Sequence, residues 1–157
     1  MRAGVVARRK KSFRGPTPNF FSSHGVNTVA LAKLVGSSGR CYPVDIAAAA
    51  LNFTTRRARS QGLTNITPVQ ATMESLCLPK DLDLVLFSHS AHEIGLTFAK
   101  QGYDSLKQGG LLMLVEPPFH VPKKHFRKEI EACLSLGFVE ANEYPHGSHM
   151  AVLRKEH

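Results

Sequence analysis

The sequence predicts an α/β protein, a mostly parallel sheet with helices on both faces and a C-terminal antiparallel hairpin. The run Arg40 to Ile46, RCYPVDI, is β-type, ends in an acid and passes directly into a helical segment, Ala47 to Gly62. Asp83 to Ser88, DLVLFS, and Leu111 to Val115, LLMLV, are apolar runs suited to strands buried on both faces. Each of these runs is followed by a helix-type segment, the alternation that builds parallel sheets.

The totals set the limits. A chain of 157 residues makes one domain with a real core, and 43% hydrophobic with 20% charged residues is a globular balance. No apolar run approaches the roughly 20 residues that span a bilayer. The cysteines, Cys41, Cys77 and Cys133, are odd in number and lack metal-type spacing. They read as reduced structural thiols, so a cytoplasmic protein without a metal site is expected. The net charge of +8 is uneven: residues 1–24 hold six basic residues and no acid, leaving +2 for the rest. The division expected is a basic irregular arm at 1–24 and an α/β domain at 25–157. A nearly neutral body argues against a nucleic-acid-binding domain and leaves that role to the arm alone, where acidic lipid, transit and plain solvation are the other readings.

The elements follow in order. Pro16 and Pro18 break any strand near the start, and residues 1–24 show neither period for long. Asn27 or Thr28 can cap a helix whose apolar residues Val29, Leu31, Ala32, Leu34 and Val35 precede Gly36. Cys41 to Val44 is a strand in which Pro43 cannot donate, so an edge or a strand end is expected. Ala47 to Ser60 is a helix with Ala50, Leu51, Thr54 and Ala58 inward and Arg56, Arg57 and Arg59 outward. Asn65 to Gln70 is a short strand and Asp83 to Ser88 a buried one. His92 to Lys107 is a helix loosened near Gly95 and Gly102, and Leu111 to Val115 a strand after Gly109 and Gly110. Pro122 to Leu136 is amphipathic, with Phe126, Ile130, Cys133 and Leu134 inward. Phe138 to Tyr144 and Met150 to Arg154 form the hairpin, with Gly147 to Met150 inside it.

The residue with chemistry is Asp45. An acid at a strand's carboxyl end can accept both hydroxyl protons of a ribose, and an acid before a helix can equally be its N-cap. No GxxxxGK sequence occurs, and no cysteine sits in an evident basic strand-to-helix setting, so phosphate-loop and cysteine-nucleophile enzymes are disfavoured.

Three segments in order, NTVALAKLVGSSGRCYPVDI, LDLVLFSHSAHEI and SLKQGGLLMLVEP, resemble the Rossmann-like class I S-adenosylmethionine-dependent methyltransferases. The likeness is to the small-molecule branch that contains the ubiquinone and menaquinone biosynthesis enzymes, and it covers Gly25 to about Arg154. It implies S-adenosylmethionine as cofactor, S-adenosylhomocysteine as product and a small-molecule acceptor. It further implies that Asp45 accepts from the ribose hydroxyls and that Ile46 packs on the adenine, with Thr72 and Met73 beside it. Ser88 and His89 would face the methionine part, with His92 and Glu93 open toward the acceptor. The chain is short for the family, so the arm or a second copy, as a homodimer, is left to supply much of the acceptor pocket.

One departure stands out. The family's first strand ends in an acid and a DxGxGxG turn, whose bare backbone approaches the cofactor at a helix N-terminus. Here Asn19, Phe20, Phe21, Ser22, Ser23, His24 and Gly25 fall on that turn, and only Gly25 matches. The strand would fall on GPTPNF, a poor strand, leaving a vacancy beside Pro43 in mid-sheet. Two functional expectations follow: a methyltransferase, or an inactive binding or regulatory module that keeps the fold and has lost the glycine loop.

Overall fold

The computed structural model describes residues 5–8, 25–88, 91–116, 121–144 and 146–156, with 5–8 and 91–94 described as backbone. The elements are β1 (Val5–Arg8), α1 (Val26–Val35), β2 (Arg40–Asp45), α2 (Ala48–Arg59), β3 (Val69–Gln70) and β4 (Leu82–Ser88). They continue with α3 (Ala91–Ser105), β5 (Leu106–Val115), α4 (Lys123–Ser135), β6 (Phe138–Glu140) and β7 (Met150–Lys155). The strands form one seven-stranded sheet in the order β3-β2-β1-β4-β5-β7-β6. β2 pairs β3 and β4 pairs β5 in parallel, and β7 runs antiparallel to both β5 and β6. This is the expected α/β sheet with its closing antiparallel pair.

Period-two alternation divides the apolar strand residues between two cores. Val85, Phe87, Leu112 and Leu114 face Phe98 and Ala99 of α3 and Phe126 and Cys133 of α4. Leu84, Leu86, Leu111 and Met113 face Leu31, Ala32 and Val35 of α1, beside which α2 packs. The strongest strand expectation, DLVLFS, is buried throughout except for its last residue.

The expected vacancy is a correction. β1 fills it, pairing antiparallel with β2 (Val5↔Pro43, Arg8↔Arg40) and with β4 (Val5↔Leu86, Ala7↔Leu84). Residues 5–8 alternate little, but backbone rungs on both sides need no particular side chain. The segment GPTPNF lies outside the described residues. Pro43 is therefore internal rather than at an edge. The N–H of Cys41 points to the carbonyl of Asn65, so period two aims the Pro43 nitrogen to the same side. There the pairing lapses between the Cys41↔Ile66 bridge and the Val44↔Val69 rung, and the missing donor is not needed.

Other boundaries shift for local reasons. The third strand is two residues long instead of six, because Pro68 cannot donate and Asn65 turns its side chain to α1. Asn27 and Thr28 do not cap α1. Gly25 stands at that position with φ +78°, and both polar residues are buried within the first turn. α3 is broken at Gly95 (φ 58°, ψ 173°) as expected but runs through Gly102. β5 begins at Leu106 rather than Leu111: Leu82 pairs with Leu106 and Leu84 with Leu111, so Lys107 to Gly110 make an irregularity in the ladder. Gly109 takes φ +73°, and a Cβ on Gly110 would lie 2.8 Å from the Lys107 carbonyl and 3.0 Å from that of Leu82. The GG pair is a requirement of that irregularity. Gly147 to Met150 does lie inside the hairpin, where buried His149 makes a 2.7 Å hydrogen bond with the Val121 carbonyl.

Candidate functional site

β1 runs against both neighbours, so β2 and β4 are parallel and their carboxyl ends share one edge. Val5 pairs with both Pro43 and Leu86, which makes those residues level, and therefore Asp45 and Ser88 are level too. With one strand between them they stand about 10 Å apart, twice the strand spacing. The adjacent rungs place Gln70 beside Asp45 and Val115 beside Ser88 on the same edge.

Asp45 is half-buried, and its Oδ1 accepts from the Ala47 backbone N–H at 2.8 Å. This contact is an Asx-type turn just ahead of α2, whose N-cap position is Ala47 and carries no side-chain cap, so the N-cap reading of Asp45 is corrected. Among the described residues no hydrogen bond is made to Oδ2. The neighbouring Ile46 is half-buried and packs on the core with Tyr42 and Val69, while its carbonyl accepts from Gln70 Nε2 at 3.2 Å.

Across the edge, α1 is tied to β4. Asn27 Nδ2 donates to Ser88 Oγ at 3.0 Å. Asn27 is 7% exposed, and its Oδ1 has no hydrogen-bond partner among the described residues. A buried amide oxygen without a donor costs on the order of 1–3 kcal/mol, which sets this oxygen apart among the described residues. Sequence reasoning treated Asn27 only as a cap. The available signal was its position four residues before Leu31, which puts it on the inward face of α1.

Gly25 starts α1 in the left-handed region, and a Cβ there would lie 2.9 Å from Thr54 Oγ1 and 3.2 Å from Thr54 Cα. Its bareness serves the approach of α1 to α2. Thr72 is exposed and caps its own turn, accepting from the N–H groups of Glu74 at 3.2 Å and Ser75 at 2.9 Å. Met73 is 74% exposed. His89 and residues Asn19 to His24 lie outside the described residues, and His92 and Glu93 belong to the first turn of α3 as backbone only. Asp45, Ile46 and Ser88 are therefore brought to one edge with Gln70, while Thr72 and Met73 stand after β3.

The remaining titratable groups speak for structure. Burial pushes the Cys41 and Cys133 thiols up to about 12, with the Glu129 charge adding to the effect at Cys133. Both are poor nucleophiles at neutral pH. Among the described residues no group of three His, Cys, Asp or Glu side chains could hold a metal ion, and no helix is long and apolar enough to cross a membrane.

Comparison with known proteins gives the family and the fold. The family described as "Methyltransferase domain" matches residues 21–110, more than half of the chain. No curated protein sequence matches it. Among solved structures, a SAM-dependent methyltransferase from Aquifex aeolicus superposes with a TM-score of 0.66 at 17% identity, covering 85% of this chain and 77% of that one. A putative rRNA-methylase from Clostridium thermocellum gives 0.64 at 17% identity, with 87% and 84% covered. The apo S-adenosylmethionine-dependent methyltransferase SibL gives 0.61 at 18% identity over 87% of this chain, which spans only 48% of SibL. The chain belongs to the methyltransferase domain family, and its fold is that of the S-adenosylmethionine-dependent methyltransferases.

Proposed function

We propose that the chain transfers a methyl group from S-adenosylmethionine to a small-molecule acceptor at the carboxyl edge of its sheet. The observation that carries this reading is the level pair Asp45 and Ser88, with Asn27 joined to the second. The chemistry there is acceptor chemistry: a carboxylate oxygen, and a buried amide oxygen that has no hydrogen-bond partner among the described residues. Such a set suits a ligand with a ribose diol and an ammonium group, and S-adenosylmethionine has both. Asp45 would hold the diol, and Asn27 Oδ1 would take an N–H of the amino group. When bound, the cofactor supplies an already activated methyl sulfonium, so the protein's part is alignment and exclusion of water. His92 and Glu93, at the start of α3, are the candidates for taking a proton from the acceptor. Similarity in segment order to the ubiquinone and menaquinone enzymes supports a hydroxylated aromatic ring as the acceptor.

A second reading, a methyltransferase-fold module without turnover, is favoured by one observation. β1 closes with Arg8 at the amino edge, so it cannot pass through a tight turn into α1, which begins beside Ser88. The experiment is a transfer assay with methyl-labelled S-adenosylmethionine and a panel of phenols and quinols. Labelled product with the parent chain, abolished in Asp45→Ala, is the expected result. Cofactor binding without transfer to any acceptor would favour the module.

A further inference from the structure

The near-neutral charge of the body conceals a division. Residues 25–72 carry Lys33, Arg40, Arg56, Arg57 and Arg59 against the single acid Asp45, a net +4, whereas 73–157 hold nine basic and eleven acidic residues, a net −2. The fold separates the one acid from these cations. Asp45 ends β2 at the carboxyl edge, while Arg40 begins β2 at the amino edge. Arg56 and Arg59 lie in the last turn of α2, and Lys33 lies in the last turn of α1.

Contacts gather these ends around the segment 60–68. Asn65 Nδ2 donates to the carbonyls of Ala32 and Gly36, both at 2.8 Å, which fixes the end of α1 and with it the neighbouring Lys33. Arg40 Nη1 donates to Thr67 Oγ1 at 2.9 Å. Arg59 borders a cleft of about 370 Å³ lined also by Thr55, Gly62, Leu63, Thr64 and Ile66. The Thr55 hydroxyl is buried with no hydrogen-bond partner among the described residues. Lys33, Arg40, Arg56 and Arg59 are exposed. β1 brings the backbone of Arg8 level with Arg40 on this same edge.

We infer that this amino-terminal edge binds the phosphodiester backbone of a single-stranded nucleic acid, at the end of the sheet opposite the proposed methyl-transfer site. These cations supply the sequence-independent attraction; of the acids at the start of β4 on the same edge, Asp83 is paired with Lys107 and Asp81 is exposed. The recessed cleft, with an arginine and hydroxyls, accepts a phosphate that projects from a chain. A lipid surface fits less well, because membrane insertion needs exposed large apolar side chains among the cations. The exposed ones among the described residues, Phe53, Met73 and Leu96, lie in mid-α2, after β3 and in α3. The strand anchored here is a tether, and it need not be the methyl acceptor.

The test is fluorescence anisotropy of the full chain with a labelled single-stranded RNA and the matching DNA, titrated over a range of salt. Both should bind, with a log–log salt slope of roughly −2 for three or so phosphate contacts. The variant Lys33→Glu/Arg40→Glu/Arg59→Glu should lose about tenfold or more in affinity. Lys123→Glu/Lys124→Glu/Lys128→Glu, which changes the net charge equally on exposed positions of α4, should lose less than about threefold. If circular dichroism shows the first variant unfolded, Arg59→Gln alone should lower the magnitude of the salt slope by about 0.7. Equal loss in both triple variants, full binding by the first, an unchanged slope in Arg59→Gln, or binding to phosphatidylserine vesicles but not to oligonucleotides would overturn the proposal.

Discussion

Asp45 shows how one carboxylate can hold two roles. One oxygen accepts from Ala47 and so orients the side chain at the mouth of α2, and the proposed ribose contact falls to the other. The sequence reveals the acid, but not that the two roles are compatible. That depends on the direction of the Asp45 side chain. Glycines at this scale divide by geometry. Gly25→Ala combines φ +78° with a 2.9 Å approach to Thr54 Oγ1 and should destabilise by about 1–3 kcal/mol in urea titration. Gly102 is helical and its added Cβ would touch the Phe87 ring at an ordinary 3.5 Å, so Gly102→Ala should stabilise by about 0.5–1 kcal/mol. Thiol chemistry gives a further check. With Cys41 and Cys133 buried and held up to about 12, a disulfide reagent at pH 8 should titrate one fast thiol per chain, the exposed Cys77. Rapid labelling of all three cysteines would contradict the packing of both cores.

Elements whose burial pattern repeats in the sequence were legible: α1, α2 and α4, the strands β4 and β5, and the closing pair. β1 was not, since its three apolar residues, Val5 to Ala7, run straight into a basic stretch and are too short a pattern to mark a strand. Its direction is the main departure from the resemblance, and Pro43 beside it can be internal because the pairing with β3 lapses where the missing donor would point. The account predicts that amides of Val6 and Ala7 exchange with deuterium about as slowly as those of Tyr42 and Val44. Exchange at unstructured rates would contradict the strand. The end of α1 is a second case. Asn65 satisfies two carbonyls there from outside the helix, at a sequence distance that no local capping rule reaches. Asn65→Ala should cost about 1–3 kcal/mol, with the loss read as a lower urea midpoint at unchanged slope.

On the scale of the whole molecule the two ends of the sheet differ in chemistry. The carboxyl edge gathers acceptor groups at Asp45, Asn27 and Ser88, and the amino edge gathers cations at Lys33, Arg40 and Arg59. Composition reported their sum and so hid the division, because a net charge carries no position. The order of segments in the sequence sufficed for the fold class and for the edge on which chemistry is expected. It could not supply the junction of Asn27 with Ser88, which depends on a contact between residues 61 apart. The central claim is that a cofactor site is assembled on the carboxyl edge without a glycine-rich turn. Calorimetric titration of the full chain with S-adenosylmethionine and with S-adenosylhomocysteine, alongside Asp45→Ala, tests it most directly. Saturable binding that Asp45→Ala weakens by about tenfold or more, near 1.4 kcal/mol, is the predicted result. No heat and no thermal stabilisation by either ligand at millimolar concentration would contradict it.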